Sequence, residues 1–380
     1  PALDFQGLDH YFEYARETGA ILVPHHIGYK VGARGMNWNL FDESLMPLVE
    51  IFSMHGCSER DGGPFAMDLG WMGPRESGGC AVEGLRRGKR FGFIASSDGH
   101  NAYPGAYPIG LVAAFADDLT RDAIWDALCS RRTYAVTGDR IELDVSLNGA
   151  LMGSVVEPAA QRHIHIRVKA LDAIEQIDVV KNGSVVGRHT GSETPVNESR
   201  MDRFVVRIGW GWGGGMPEPL RWEGLLRVND GEIASVAPCF GPPAPDEIMR
   251  QDEREVEWRS TTAGYNPAWQ TNRYRVGGDC SLVVEVKGDR ATRLDIAING
   301  KMLAYDAGDL LHNSHVELMG GPFGAKVKVY RAVPAQQYDI ELAFEDVDTP
   351  GKADADWYYV RVRQSNGQMA WSSPIWVEAE

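Results

Sequence analysis

No run of about eighteen consecutive apolar residues occurs in the 380-residue sequence, which excludes a membrane-spanning helix. Cysteine is scarce and scattered. The five thiols, Cys57, Cys80, Cys129, Cys239 and Cys280, show no CxxC or zinc-knuckle spacing. They read as reduced thiols and not as a disulfide framework. Positive charge is in deficit, with 38 Lys and Arg against 53 Asp and Glu and a formal net charge of −15. That balance argues against nucleic acid or an anionic membrane as partner. A phosphorylated substrate stays open, because bound cations can reverse the local sign. No repeat of fixed period and no secretory signal is visible. The sequence opens at Pro1 without an initiator methionine, so the expectation is a processed start or a piece of a longer product, and the compartment stays open.

What is present falls into two grammars. Up to about residue 139, helix and strand signals alternate. Residues 7–18 space Leu8, Phe12 and Ala15 as a helix does. The apolar runs at 20–24 (AILVP), 48–52 (LVEIF), 91–95 (FGFIA) and 109–115 have strand length. A short helix is expected at 80–87, and Thr120 caps an amphipathic one, RDAIWDALCSRR. Such alternation predicts βα units with parallel pairing. From Arg140 onward, short alternating runs are separated by Asn148-Gly149, Asn182-Gly183, Asp230-Gly231, Asn299-Gly300 and Asn366-Gly367, which are hairpin signals. The proline-rich 239–246 stretch is the best internal linker. The expected domains are therefore 1–139, then β units at 140–245 and 246–380, the two β units being either separate or parts of one sandwich.

Three of the strand-like runs end in PHH, SMH and SDGH. Parallel strands project their carboxyl ends to one face, so His25, His26, His55, Asp98 and His100 are expected to converge there. Imidazole nitrogen and carboxylate oxygen are the donors that borderline divalent cations take. His25, His26, Asp98 and His100 are the candidate metal ligands. His55 is a candidate acid or substrate contact, and Glu50 a catalytic candidate that is either a structural or orienting carboxylate or a direct metal ligand. Glu59 lies in a loop able to reach the same cavity. Lys30 and Arg34 are either contacts for an anion or a solvated loop. His163, His165, His312 and His315 read as surface residues.

The segments ILVPHHIGY, VEIFSMHGCSE and FIASSDGH resemble the later motifs of the polymerase and histidinol phosphatase (PHP) superfamily. LTRDAIWDALCSRRTYAVTGDRIELDVSLNGALMG and DADWYYVRVRQSNGQMAWSSPIWV are similar to an uncharacterised bacterial branch of it, known only as a domain of unknown function. The resemblance implies the carboxyl-terminal part of a distorted (β/α)7 barrel, followed by an antiparallel β-sandwich region. It further implies two or three divalent ions (Zn, Mn or Fe), with Asp98 and His100 as the terminal Asp-x-His ligands and one of His25 and His26 as the mid-barrel histidine. No His-x-His precedes His25, and about 140 residues are too few for a whole barrel, which needs on the order of 200. The amino-terminal half of the barrel is expected to be absent. An unpaired edge beside 20–24 should then be covered by a second copy, by a separate amino-terminal piece, or by the first helix.

The function expected on this reading is metal-dependent hydrolysis of a small anionic substrate, a phosphoester foremost, by metal-activated water. The contrasting expectation is an inert remnant that binds carbohydrate or protein, with GWGWGGG at 209–215 offering aromatic faces.

Overall fold

The computed structural model describes residues 7–62, 73–99, 105, 107, 110–191, 196–211, 220–241, 247–262, 279–320, 324–347 and 355–379. In the amino-terminal part, α1 (Leu8–Thr18) stops at Gly19, whose φ of 69° gives the left-handed cap that a side chain would resist. The next segment, 20–25, runs extended beside β1 (Leu48–Ser53). Leu22 N donates to Leu45 O at 2.8 Å and Glu50 N to Pro24 O at 3.0 Å, but the segment forms no strand. β2 (Gly56–Cys57) folds back antiparallel on β1. β3 (Gly92–Ala95), reached through α2 (Ala81–Arg86), lies parallel to β1 with Val49 opposite Phe93. These make a three-stranded sheet in the order β2-β1-β3.

The expected barrel is not there. Strands occupy 49% of the structure and helices 14%, which leaves no room for a sevenfold βα repeat. β4 (Leu111–Ala114) and β5 (Thr133–Val136) flank α3 (Arg121–Cys129) yet pair antiparallel, so α3 is no parallel crossover. The cap of α3 is as the sequence suggests, Thr120 Oγ accepting from Ala123 N at 3.3 Å. The physical reason for the error is long-range pairing. β5 takes its second neighbour from Met369–Ser372, with Ala135 opposite Trp371. Local periodicity carries no information about such a partner.

Most of the molecule is β. An eight-stranded sheet combines β4 and β5 with Ile174–Lys181, Ser184–Thr190, Asp356–Gln364 and three shorter strands. A four-stranded sheet built around Gln161–Lys169 and Asp339–Val347 packs on one face of it. Gln161–Lys169 alternates exposed and buried positions along its length, as a strand with one wet face must. Asp356–Gln364 does not alternate, because both of its faces are covered. Tyr358, Val360 and Val362 enter the sandwich core, while Trp357 and Tyr359 face the amino-terminal unit, together with Val180, Trp371 and Ala135. The eight-stranded sheet is thus the middle of three layers.

Between Ser184–Thr190 and Asp339–Val347 the chain builds a second sandwich with its own core. Its six-stranded and five-stranded sheets include Glu232–Cys239 and Glu247–Gln251 respectively, so this sandwich extends across residue 245. The prolines Pro242, Pro243 and Pro245 lie outside the described residues. Three of the Asn-Gly pairs are two-residue hairpin turns with positive φ at both positions: 49° and 82° at Asn148-Gly149, 51° and 81° at Asn182-Gly183, 44° and 79° at Asn299-Gly300. Trp38, Trp210, Trp222, Trp258 and Trp371 are fully buried. Trp210, which donates its Nε1 proton to Ser260 at 2.7 Å, offers no aromatic face to a sugar because it is fully buried, and residues 212–215 of the same motif lie outside the described residues.

Candidate functional site

Glu50, on the parallel pair's central strand, organises a cleft at the carboxyl ends of β1 and β3. Its Oε1 meets His25 Nδ1 at 3.2 Å and accepts the His26 backbone N–H at 3.0 Å, and its Oε2 accepts from Ser96 Oγ. Just beyond β1, His55 is held from two sides. Its Nε2 lies 2.7 Å from Asp98 Oδ2, and its Nδ1 lies 3.0 Å from the Tyr29 hydroxyl. The ring centroids of His25 and His26 are 3.7 Å apart, and those of His26 and His55 are 5.0 Å apart.

Adjacent histidines on a strand would face opposite sides. Here they share a cleft because His26 has φ 39°, a left-handed turn where the extended segment ends. Asp98, at the end of β3, has φ 49°. Non-glycine residues in this region cost free energy and gather at functional positions. The Nδ1 of His26 is buried and has no hydrogen-bond partner among the described residues.

Burial works to lower the His25 pKa, but the Glu50 hydrogen bond and the charges of Glu50 and Asp98 outweigh it and raise it. His26 is pushed down by burial and by the charges of His25 and His55. His55 is also lowered, burial outweighing the pull of Asp98. Burial alone would raise Glu50, yet its bonds from His25, Ser96 and the His26 N–H bring it below the usual carboxylate value. The cleft therefore holds imidazoles of different basicity with ring centroids 3.7 to 5.8 Å apart.

Of the residues expected from sequence, His25, His26, Glu50, His55 and Asp98 come together, while His100 lies outside the described residues. Glu59 goes elsewhere. It is buried and accepts from Tyr359 Oη at 2.6 Å, Arg361 at 2.6 Å and Trp371 Nε1 at 3.0 Å, tying the amino-terminal unit to the eight-stranded sheet. His163, His165 and His315 pair with Glu345, Glu341 and Asp309. Tyr29 and Ser96 were not anticipated, although both sit inside the quoted motifs, HHIGY and ASSDGH. Cys57 is no nucleophile, since burial pushes its thiol up to about 12.

The donor set, imidazole and carboxylate, suits Zn, Mn or Fe. Its arrangement is not that of a closed site: among the described residues no group of three or more His, Cys, Asp or Glu stands ready to hold an ion. Both His55 nitrogens and both Glu50 oxygens are engaged within the protein. Among the described residues the imidazole nitrogens left for an ion are Nε2 of His25 and both nitrogens of His26, of which Nδ1 is buried.

Comparison with known proteins gives relatives without an assigned activity. Residues 105–150 match the model of a family described as protein of unknown function (DUF3604). An uncharacterised protein of Chlamydia trachomatis serovar D is 32% identical over 169 residues, 40% of this chain and 27% of its own length. One from Chlamydia muridarum is 31% identical over the same span, and one from Chlamydia pneumoniae 28%. The chain thus aligns with little more than a quarter of these relatives. The expected membership of the PHP superfamily is corrected by these findings. The family matched is DUF3604, and the fold around the histidines is a three-stranded sheet laid on a β-sandwich.

Proposed function

We propose that this chain is a metal-dependent hydrolase of small anionic esters, phosphoesters foremost. The observation that carries the reading is the buried, unpartnered Nδ1 of His26 beside two imidazoles that carboxylates already orient. A buried polar atom without a partner is costly and calls for an explanation, such as an ion that completes it. Carboxylates that fix the ring of a metal-binding histidine are a regular feature of such sites. A bound Zn, Mn or Fe ion would polarise the ester and supply hydroxide near neutral pH.

The protein's own groups then have separable tasks. Glu50 holds His25 through Nδ1 and so reserves Nε2 for an ion or a proton. Tyr29, His55 and Asp98 form a chain along which a proton can pass between the phenol and the carboxylate. The test is metal content by mass spectrometry on protein purified without chelator, with hydrolysis of p-nitrophenyl phosphate and p-nitrophenyl acetate followed before and after EDTA. The expected result is bound metal and a phosphatase rate that falls on chelation and returns with Zn or Mn. Metal-free protein with no chelator-sensitive turnover of either ester overturns the proposal.

A further inference from the structure

Among the described residues no strand pairs with the outer side of the extended segment 20–25, and α1 lies beside it. Between them lies a cleft of about 860 Å³ that starts at His25 and is lined by Leu22, Ile27, Met36, Leu40 and Met46, with Tyr11 of α1 opposite. In a chain with a net charge of −15, the described residues of this wall include no Asp or Glu, and Arg34 is their sole Lys or Arg. Arg34 is close enough to His25 for its charge to oppose protonation of that ring.

The turn that carries Arg34 is firmly built. The backbone N–H groups of Ala33, Arg34 and Gly35 all donate to Lys30 O, and Met36 N donates to Ile27 O at 3.1 Å. Any Cβ at Gly35 would come within 1.8 Å of Tyr29 O. The cation is therefore presented from a fixed backbone, at the junction between the histidine cluster and the apolar groove.

We propose that this cleft binds an amphiphile, an anionic head on an alkyl or aryl body, with the head between Arg34 and His25 and the body along Leu22, Ile27, Met36 and Leu40. The inference rests on the hydrolase reading for the purpose of binding and narrows its substrates to esters with an apolar group; bare sugar phosphates do not fit such a wall. Charge complementarity favours an anion at one end only. The long apolar stretch supplies binding that grows with chain length.

The test uses non-hydrolysable alkylphosphonates from ethyl to octyl, titrated calorimetrically into the whole chain in the presence of EDTA. Affinity is expected to rise about fourfold for each added methylene that is buried. Arg34→Gln should weaken hexylphosphonate about tenfold, the loss expected of a charge-assisted contact. Leu40→Asp, at a position 49% exposed, should flatten the chain-length series without unfolding the protein. Affinity independent of chain length, or unchanged by Arg34→Gln, overturns the proposal. So does light scattering at twice 41.9 kDa that Leu40→Asp returns to monomer, since a second copy would then fill the groove. None of these readouts requires metal or turnover, so this inference and the hydrolase reading fail separately.

Discussion

The two places where this protein buries charge near its amino-terminal sheet treat it in opposite ways. At the joint with the eight-stranded sheet, both oxygens of Glu59 accept from Tyr359, Arg361 and Trp371, and Arg361 also reaches Asp178 at 2.6 Å. The Asp139 joint to the second sandwich follows the same plan: its oxygens accept from Tyr107, Arg207, Gln364 and Asn366. In the histidine cleft a buried nitrogen lacks a partner, two side-chain-bearing residues sit in left-handed conformation, and His25 is 41% exposed. The carboxylates that hold layers together have both oxygens accepting from protein partners, although the Nε of Arg207 beside Asp139 is also buried without one among the described residues. Groups in the cleft keep capacity for something that is not protein.

The largest effect expected is therefore at the joint. Arg361→Met would leave Glu59 and Asp178 buried without their shared cation, and breaking such a pair costs about 3–5 kcal/mol. Urea unfolding followed by circular dichroism should show a loss of that size, against a smaller one of about 1–3 kcal/mol for His55→Ala, which removes a buried ring bonded to Tyr29 and Asp98. Equal losses at the two places would abolish the distinction.

That contrast also shows what the sequence could disclose. The cluster of His25, His26, Glu50, His55 and Asp98 was legible because each lies at or beside the end of a short apolar run, and β1 and β3 do lie parallel. The hairpins after Arg140 were legible for a local reason too, since Asn-Gly supplies two left-handed residues in a row. The barrel was not, because its disproof depends on Trp371 pairing beside Ala135 across more than half the chain. Glu59 was misread for the same reason. Four residues from His55 in the sequence, it looks like a site residue, and only Arg361 and Tyr359, far downstream, show it to be a joint. The apolar run DWYYVRV carries one clue that could have been used: a strand without alternation is covered on both faces.

A middle-sized effect should separate backbone from ring at His26. With φ at 39°, alanine there keeps the left-handed strain while glycine relieves it. His26→Gly should therefore unfold at higher urea than His26→Ala, by about 1 kcal/mol in stability. Both should lose bound metal equally if the ring nitrogen is the ligand. A glycine variant no more stable than the alanine one would show that the turn is unstrained and that its conformation is no mark of function.

The smallest effect, and the sharpest probe of the cleft, is its titration in metal-free protein. His25 should titrate above its ordinary 6.5, and His26 and His55 below it. The signs for stability follow from linkage. The raised His25 contributes stability that is complete below 6.5 and is lost as pH rises through its folded value. The lowered His26 and His55 contribute stability present above 6.5 and lost as pH falls through their folded values. The cleft's net contribution should consequently be greatest around 6.5 and fall away on both sides. Because His25 is substantially exposed, solvent screening keeps its share small. Imidazole resonances followed by NMR from pH 5 to 8.5 give the three values separately, and Glu50→Gln supplies the cause. It removes the charge that outweighs burial at His25, so that ring should drop toward or below 6.5 while His55, held by Asp98, moves less. Three rings titrating together, or a His25 indifferent to Glu50→Gln, would mean that the carboxylates do not tune this cluster and that the cleft is no different in kind from the joints.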